Sequence, residues 1–181
     1  MSGTDAVETV RKVRQARLYH DRPVPPAVLD QLLEVARWTG SSRNSQPWEF
    51  VVVDDREALR RISQLRPTIN WVADVPLAIA IVLNGGSAES EAYDEGRLTE
   101  RLLIAANLLG LGGGTAWFGD AAQEAEGRAI LGVPDGRTAR SVVAIGYPTT
   151  TVDHRPNPNV PGRKPISELV SWGRLGQHER P

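Results

Sequence analysis

The chain contains no cysteine among its 181 residues. This absence excludes disulfide bonds, thiolate nucleophiles and cysteine-ligated metal sites. An excess of charge is also missing, because 21 Lys and Arg stand against 22 Asp and Glu and leave a net charge of −1. Proteins that bind the phosphates of nucleic acids usually carry a basic surplus, so we expect no nucleic-acid partner.

Long apolar runs are missing as well. No run approaches the roughly 20 residues that a membrane-spanning helix needs, and the first residues, Met1 to Asp5, lack the basic and apolar regions of a secretory signal. We therefore expect a cytoplasmic protein without a membrane partner. With 40% hydrophobic and 24% charged residues, the composition is typical of a globular protein. The length predicts one domain over residues 1–181.

The usual catalytic side-chain sets are also not found. His20, His154 and His178 lie far apart in the sequence, with neither metal-ligand spacing nor a nucleophile motif beside them. The neighbouring carboxylates Glu89 and Glu91 lie in a polar segment that we expect to be exposed. These gaps would be unusual in a hydrolase but are expected in a flavin enzyme, where the cofactor performs the redox chemistry.

Helical and strand patterns alternate along the chain. Residues 77–83 are apolar without a break, which predicts a strand covered on both faces, and residues 91–109 carry apolar side chains round most of the circumference, which predicts a buried helix. Further strands are predicted at 50–53, 115–118 and 141–146. The other predicted helices are 5–17, 26–36, 59–65, 123–131 and 165–170.

Two glycine- and proline-rich segments need separate interpretation. The cluster Gly110 to Gly114 closes a helix and opens a strand, the reverse of the dinucleotide-binding fingerprint. We interpret it as a helix C-cap followed by a tight turn. Residues 147–161 are rich in Pro, Asn and Thr, which indicates an extended C-terminal arm, reaching to about residue 165, rather than a packed element.

Two polar segments are candidates for binding. Residues 40–47 bring Ser, Asn and Gln side chains into one turn, and these donors and acceptors suit a flat heterocycle. They would equally suit an ordinary surface loop. Arg14 and Arg17 lie three residues apart in a predicted helix, so they would share a face and could hold one phosphate. The alternative is a solvated basic face that also includes Arg11 and Lys12.

Short motifs extend over nearly the whole chain. In chain order they are Arg14-Gln15-Ala16-Arg17 followed by Asp21-Arg22-Pro23-Val24, then Ser41-Ser42-Arg43-Asn44-Ser45-Gln46-Pro47-Trp48, Trp117-Phe118-Gly119-Asp120, Leu131-Gly132-Val133-Pro134, Gly146-Tyr147-Pro148 and Arg163-Lys164-Pro165. Together they resemble the FMN-dependent nitroreductase family.

The resemblance implies an α+β fold in which helices flank a central mixed β-sheet. It also implies an intertwined homodimer that binds FMN at the subunit interface. The implied cofactor-binding residues are Arg14, Gln15, Arg17 and Arg163 at the phosphate and ribityl end, Ser41, Ser42, Asn44 and Gln46 from the partner subunit, Asn70 beside the flavin, and Phe118 and Gly119, whose loop would present a backbone N–H to flavin N5.

The implied activity is transfer of a hydride from NADH or NADPH, through flavin N5, to a small acceptor such as a nitroaromatic or a quinone. The two substrates would use one ring face in turn, and no side chain would act as an essential acid or base. Two alternatives stay open. One is a specialised family member that dehydrogenates a peptide-like substrate or fragments its flavin, and the other is a non-catalytic flavin-binding or flavin-storage protein.

Overall fold

A computed structural model describes residues 3–149 and 162–180. Within them the chain forms six α-helices and four β-strands, together with two short 3-10 segments, Ser42–Asn44 and Pro67–Asp74. In chain order the elements are α1 Gly3–Lys12, α2 Pro26–Arg37, β1 Trp48–Val53, α3 Arg56–Ser63, β2 Leu77–Leu83, α4 Ala88–Leu108, β3 Gly112–Trp117, α5 Ala121–Leu131, β4 Ser141–Gly146 and α6 Ile166–Leu169.

The four strands form one sheet in the order β1-β2-β4-β3. All three pairings are antiparallel, so the α+β class is confirmed, but the described strands do not form the mixed sheet that we expected. The unbroken apolar sequence of β2 reflects the predicted burial of both sheet faces, which determines side-chain polarity but not strand direction.

The core lies on both faces of this sheet. On one face α2 and α4 pack against it, and Leu32, Leu98 and Leu102 are completely buried there. On the other face Leu59 of α3 and Phe118, which precedes α5, fill a second apolar cluster. Every residue of β2 and β4 is buried. Helices and apolar clusters therefore cover both faces of the sheet. Its edges are β1 and β3, the outer strands of the strand order.

Most predicted elements occur where the sequence placed them. Strands β2 and β4 have the predicted bounds. Helix α4, which we expected to be buried round most of its circumference, is buried along one side only. Asp55 caps α3 by accepting from the backbone N–H of Ala58, and Asp120 and Gln123 form a reciprocal cap on α5. Most of the predicted arm, residues 150–161, lies outside the described residues.

The first helix is shorter than predicted. It ends at Lys12, not near Arg17, because the following residues leave the helix and lie along the edge of the sheet. Gln15 forms a parallel bridge with Gly113 of β3, and the backbone N–H of Ala16 donates to the Gly113 carbonyl at 2.8 Å. The gain of sheet hydrogen bonds at this edge outweighs continuation of an exposed, basic helix.

No helix among residues 3–149 and 162–180 has both the length and the apolar character needed to cross a membrane.

Candidate functional site

The segment Val13–Tyr19, which we call the N-terminal segment, covers the free edge of β3. Gln15 accepts a hydrogen bond from the backbone N–H of Thr115 at 3.2 Å through its side-chain oxygen. A Cβ on Gly114 would collide with the carbonyl oxygen of Ala16, and one on Gly112 would lie 2.8 Å from the Ala16 Cβ. Glycine is therefore required here so that two backbones can approach closely.

This arrangement corrects our interpretation of the glycine cluster. Gly110 does follow α4 in a left-handed conformation, with φ of +75°, as expected for a residue that ends a helix. Gly112, Gly113 and Gly114, however, belong to strand β3 rather than to a turn. They lack side chains because the N-terminal segment and Leu103 of α4 occupy the space beside them.

The two candidate phosphate-binding arginines are not on a common helix face, because both lie beyond the end of α1. The half-buried Arg14 donates from Nη1 to the backbone carbonyls of Arg11 and Val13 at 2.9 and 2.7 Å. Arg17 is exposed and forms no hydrogen bond or ion pair with another described residue. Both still lie on the segment that covers β3, so a phosphate near this edge is within reach of either.

Arg11 and Lys12 behave as the solvated residues that we expected. Both are exposed and pair with Glu8 of α1, at 2.6 and 3.0 Å. Hydrogen bonds from Arg11 and then Lys12 lower the pKa of Glu8 to about 2. These two cations therefore already have a counter-charge.

At the far end of β3, the turn Trp117–Asp120 presents a backbone donor. Phe118 is buried and its N–H donates to the carbonyl of Arg140 at 2.8 Å. Gly119 is also buried, has φ of +129°, and its own N–H donates to no described residue. A Cβ on Gly119 would collide with the side chain of Gln123. A buried, unused N–H is costly unless a ligand accepts from it.

Gln123 fixes the turn formed by residues 117–120 through two hydrogen bonds. Its Oε1 accepts from the backbone N–H of Asp120 at 2.8 Å, and its Nε2 donates to the carbonyl of Leu65 at 2.7 Å. The turn is thus fixed both to the start of α5 and to the segment that precedes Pro67–Asp74.

Asn70 lies in the 3-10 segment Pro67–Asp74 and is exposed. The neighbouring Trp71 packs over β3, where its Cη2 would lie 3.0 Å from a Cβ on Gly114. Tyr19 stacks beside Trp71 with ring centroids 6.5 Å apart. Burial raises the pKa of Tyr19, which stays protonated and donates to the Ala16 carbonyl at 2.7 Å. These contacts place the turn containing Asn70 beside the same edge strand.

A groove of about 320 Å³ runs between this edge and α4. Gln15, Thr115 and Trp117 line one wall, and Gly96 and Thr99 of α4 line the other. Trp117 is half-exposed, and the buried hydroxyl of Thr115 has no hydrogen-bond partner among the described residues. Unpaired polar atoms and an open aromatic face make this edge suited to a flat polar ligand.

The polar turn containing Ser41, Ser42, Asn44 and Gln46 lies elsewhere. It leads directly into β1, which is at the opposite edge of the sheet from β3. Three strand spacings separate those edges, which is about 14 Å. Within one chain, the structure therefore does not bring these side chains to the groove.

Backbone strain is concentrated in the same polar turn. Arg43, Asn44 and Gln46 all adopt positive φ, between 46° and 54°. The side-chain oxygen of Ser41 accepts from the backbone N–H of Gln46 at 2.9 Å and holds the turn. Non-glycine residues in this region are uncommon, and they are found preferentially at functional sites.

The remaining candidate, Arg163, is exposed in the segment 162–180. The hydrogen bonds of this segment to described residues all lie within the segment itself. Among the described residues, Arg163 therefore does not join Arg14 and Arg17.

The expected exposure of Glu91 was wrong, because this residue belongs to a group of buried, charged side chains. Glu91 is buried, not exposed, and accepts from Arg140 at 2.9 Å, Thr138 at 2.8 Å and the N–H of Gly86 at 2.9 Å. Glu95 accepts from Arg140 at 3.3 Å and from Ser141 at 2.6 Å. We call Glu91, Glu95 and Arg140 the buried ion cluster. The four-residue spacing of the two glutamates on α4 was the available signal, since it places them on one face.

Burial on its own would raise the pKa of Glu91. Hydrogen bonds from Thr138, Arg140 and Gly86 together outweigh that effect and hold the pKa below its ordinary value. The cluster lies next to the turn that follows β3, because the Arg140 carbonyl is the group that accepts from Phe118.

Comparison with known proteins identifies the family. The model of the nitroreductase family matches residues 10–78. A protein of Methanothermobacter thermautotrophicus with the provisional name NADH dehydrogenase/NAD(P)H nitroreductase is 32% identical over 154 residues, which cover 82% of this chain and 80% of that protein.

Solved structures agree. The FMN-dependent nitroreductase of Clostridium difficile R20291 superposes with a TM-score of 0.74 at 28% identity, covering 80% of this chain and 88% of the other. A provisionally named NADH dehydrogenase/NAD(P)H nitroreductase of Parabacteroides distasonis gives 0.81 at 26% identity, covering 94% and 98%. The chain belongs to the nitroreductase family.

Proposed function

We propose that the protein is an FMN-dependent oxidoreductase that takes a hydride from NADH or NADPH and delivers it to a small acceptor such as a nitroaromatic or a quinone. Membership of the nitroreductase family and the likeness to an FMN-dependent relative support the cofactor and the reductant. The observation that carries the proposal is the buried, unused N–H of Gly119, two residues after Trp117, whose ring lines an open groove.

The residues at the edge of β3 fit FMN. The flavin ring is flat and carries nitrogen and oxygen acceptors. Gln15 and the half-exposed ring of Trp117 line the groove, and the unused Gly119 N–H lies in the turn that follows Trp117. The phosphate is a dianion, and Arg14 and Arg17 lie on the segment that covers the same edge. Donors at one end and cations at the other match the two ends of the cofactor.

Each group then has a defined task. Bound FMN would supply the hydride-transfer chemistry. The Gly119 N–H would donate to the ring and would favour its negatively charged, reduced form. Arg14, Gln15 and Arg17 would hold the phosphate and ribityl end, and Asn70 would bind beside the ring. Phe118 fixes the turn through its bond to Arg140.

The site requires a second subunit. Ser41, Ser42, Asn44 and Gln46 lie at the opposite edge of the sheet from Gly119, so in the proposed homodimer one subunit supplies them to the groove of its partner. A monomer would lack half of its ring contacts.

Both substrates use the same groove in turn. At about 320 Å³ it is at the small end of ligand sites, so the oxidised nucleotide leaves before the acceptor binds. A nitro group that receives a hydride and one proton becomes a nitroso group and releases water. That proton can come from solvent, and so the chain needs no dedicated acid. A protein of this kind works in the cytoplasm, where NAD(P)H is available.

The test is whether purified protein is yellow and bleaches when NADH or NADPH is added without oxygen. Addition of a nitroaromatic or a quinone should then restore the yellow colour over repeated cycles. If the protein binds flavin but neither NADH nor NADPH reduces it, the result would indicate a storage protein. If the flavin is reduced but neither acceptor is turned over, the result would indicate a specialised reaction. Protein that binds no FMN would contradict the proposal.

The dimer is tested independently. Light scattering should show two chains per particle, and the interface should bury more than about 2,000 Å², as obligate dimers do. A monomer that retains one FMN per chain would contradict the shared site.

A further inference from the structure

Arg66 lies beside Trp117, one of the residues that line the groove. It immediately precedes the turn Pro67–Asp74 and has an extended backbone. Its guanidinium carbon is 5.0 Å from the centre of the Trp117 ring. Its Cδ would lie 3.5 Å from a Cβ on Gly119. The side chain therefore borders both the aromatic wall and the turn that presents the unused N–H.

The positive charge of Arg66 is not neutralised within the described residues. Its guanidinium forms no ion pair and donates no hydrogen bond to them. The nearby carboxylate of Asp120 instead accepts from the backbone N–H groups of Ala122 and Gln123 at 3.0 Å. By contrast, Arg60 and Arg61 on the preceding helix α3 pair with Glu57 and Glu126. An unpaired, half-buried arginine beside a binding groove is an exception in this part of the chain.

The contact with Trp117 also prepares Arg66 to bind an anion. A guanidinium over an indole ring is held by cation–π attraction, while its N–H donors remain in the plane of the group and point outward. Such a fork matches the two oxygens of a carboxylate. The contact therefore limits side-chain freedom in advance of binding and leaves the donors available.

From these observations we infer that Arg66 selects the electron acceptor, and that the preferred acceptors are small aromatic molecules with an anionic group such as a carboxylate. This inference rests on the proposed function, because it takes the acceptor to bind beside Gly119. The ring of the acceptor lies in the groove and its anionic group lies at the rim, against Arg66. A neutral acceptor of the same shape would lack that second contact.

The experiment compares 4-nitrobenzoate with the neutral, nearly isosteric 4-nitrobenzamide, with NADH as reductant. The measured quantity is the ratio of the two kcat/KM values. The native protein should prefer 4-nitrobenzoate. In Arg66→Gln the ratio should fall about tenfold to 100-fold, as expected for loss of a charge-assisted hydrogen-bonded pair. Added salt should reduce the preference of the native protein, because the rim is partly exposed.

Arg61→Gln is the matched control. It removes the same charge from a nearby exposed position that pairs with Glu126 outside the groove, and its ratio should stay within about twofold of the native value. An equal fall in both variants would overturn the inference, since general charge would then explain it. So would a native protein without preference, or an unchanged ratio in Arg66→Gln.

Two further measurements separate other roles of Arg66. The rate of flavin reduction by NADH and by NADPH should show the same ratio in Arg66→Gln as in the native protein. A loss confined to NADPH would assign the arginine to the phosphate of the nucleotide, and loss of FMN itself would assign it to the cofactor. Either result overturns the inference while leaving the proposed function intact. A native protein that binds no FMN contradicts both.

Discussion

Replacing Glu91 by glutamine tests the buried ion cluster. Glu91 accepts three hydrogen bonds, from Gly86 before α4 and from Thr138 and Arg140 before β4. Glutamine has nearly the same shape and keeps one acceptor oxygen, but it removes the negative charge opposite Arg140. The change therefore leaves the packing in place, but it removes the charge and replaces one of the two acceptor oxygens by a donor.

The size of the effect follows from burial. The side chains of Arg140 and Glu91 are only 19% and 6% exposed, and breaking a buried ion pair typically costs about 3–5 kcal/mol. Arg140 keeps its contact with Glu95 at 3.3 Å, and glutamine can still accept one hydrogen bond. We therefore expect the free energy of unfolding to fall by about 2–3 kcal/mol at pH 7, somewhat less than for full removal of a partner.

The pH dependence gives a second, sharper signature. The pKa of Glu91 in the folded protein lies below its ordinary value of 4.5, so its charge stabilises the fold fully above that value. The stabilisation is lost as the pH falls through the lower, folded-state pKa. The difference between the native protein and Glu91→Gln should therefore be largest near neutral pH and shrink below pH 4.5.

Urea unfolding at one fixed protein concentration measures this difference, and the fixed concentration matters because a dimer gains stability from association. Glu89→Gln, an exposed neighbour on the same helix, is the control and should change the stability by less than about 0.5 kcal/mol. Equal effects of the two substitutions, or a difference that does not depend on pH, would refute the reasoning.

Three other predictions concern the site. Gly114→Ala should detach the N-terminal segment, because the new Cβ collides with the Ala16 carbonyl, and flavin loss during gel filtration would show it. Arg17→Ala should weaken FMN binding about tenfold or more in a fluorescence titration, as loss of a charge-assisted bond does. Arg11→Ala is the control and should retain FMN, because it removes only a cation that pairs with Glu8. Replacement of each histidine by alanine should leave turnover within a few-fold, far from the about 10²–10⁴-fold loss expected for a general acid or base.

Much of the fold could be predicted because its signals are local. The unbroken apolar run of β2 corresponds to burial that the structure confirms, and α4 occurs where its apolar pattern predicted a helix, although only one side of it is buried. The end of α1 could not be predicted in this way. Local sequence favoured a longer helix, and the competing interaction is with Gly113, about 100 positions further along the chain.

The candidate site shows the same division. The motif beginning at Ser41 and the turn at Gly119 were recognised from their sequence, and both have unusual backbone conformations. That they lie at opposite edges of the sheet depends on strand order, which no single motif contains. Arg66 and Glu91 were overlooked or misplaced because an isolated charged residue on a helix or turn has the same sequence appearance whether it is buried or solvated.

The position of the N-terminal segment on β3 has a consequence for solubility. An uncovered edge strand presents a row of free N–H and C=O groups to other chains and invites sheet-to-sheet association. Here Gln15 and Ala16 occupy those groups along the glycine-rich part of β3, the part with no side chains of its own to obstruct a foreign strand. The segment that carries Arg14 and Arg17, the arginines proposed to bind the phosphate, thereby also protects this edge of the sheet from association with other chains.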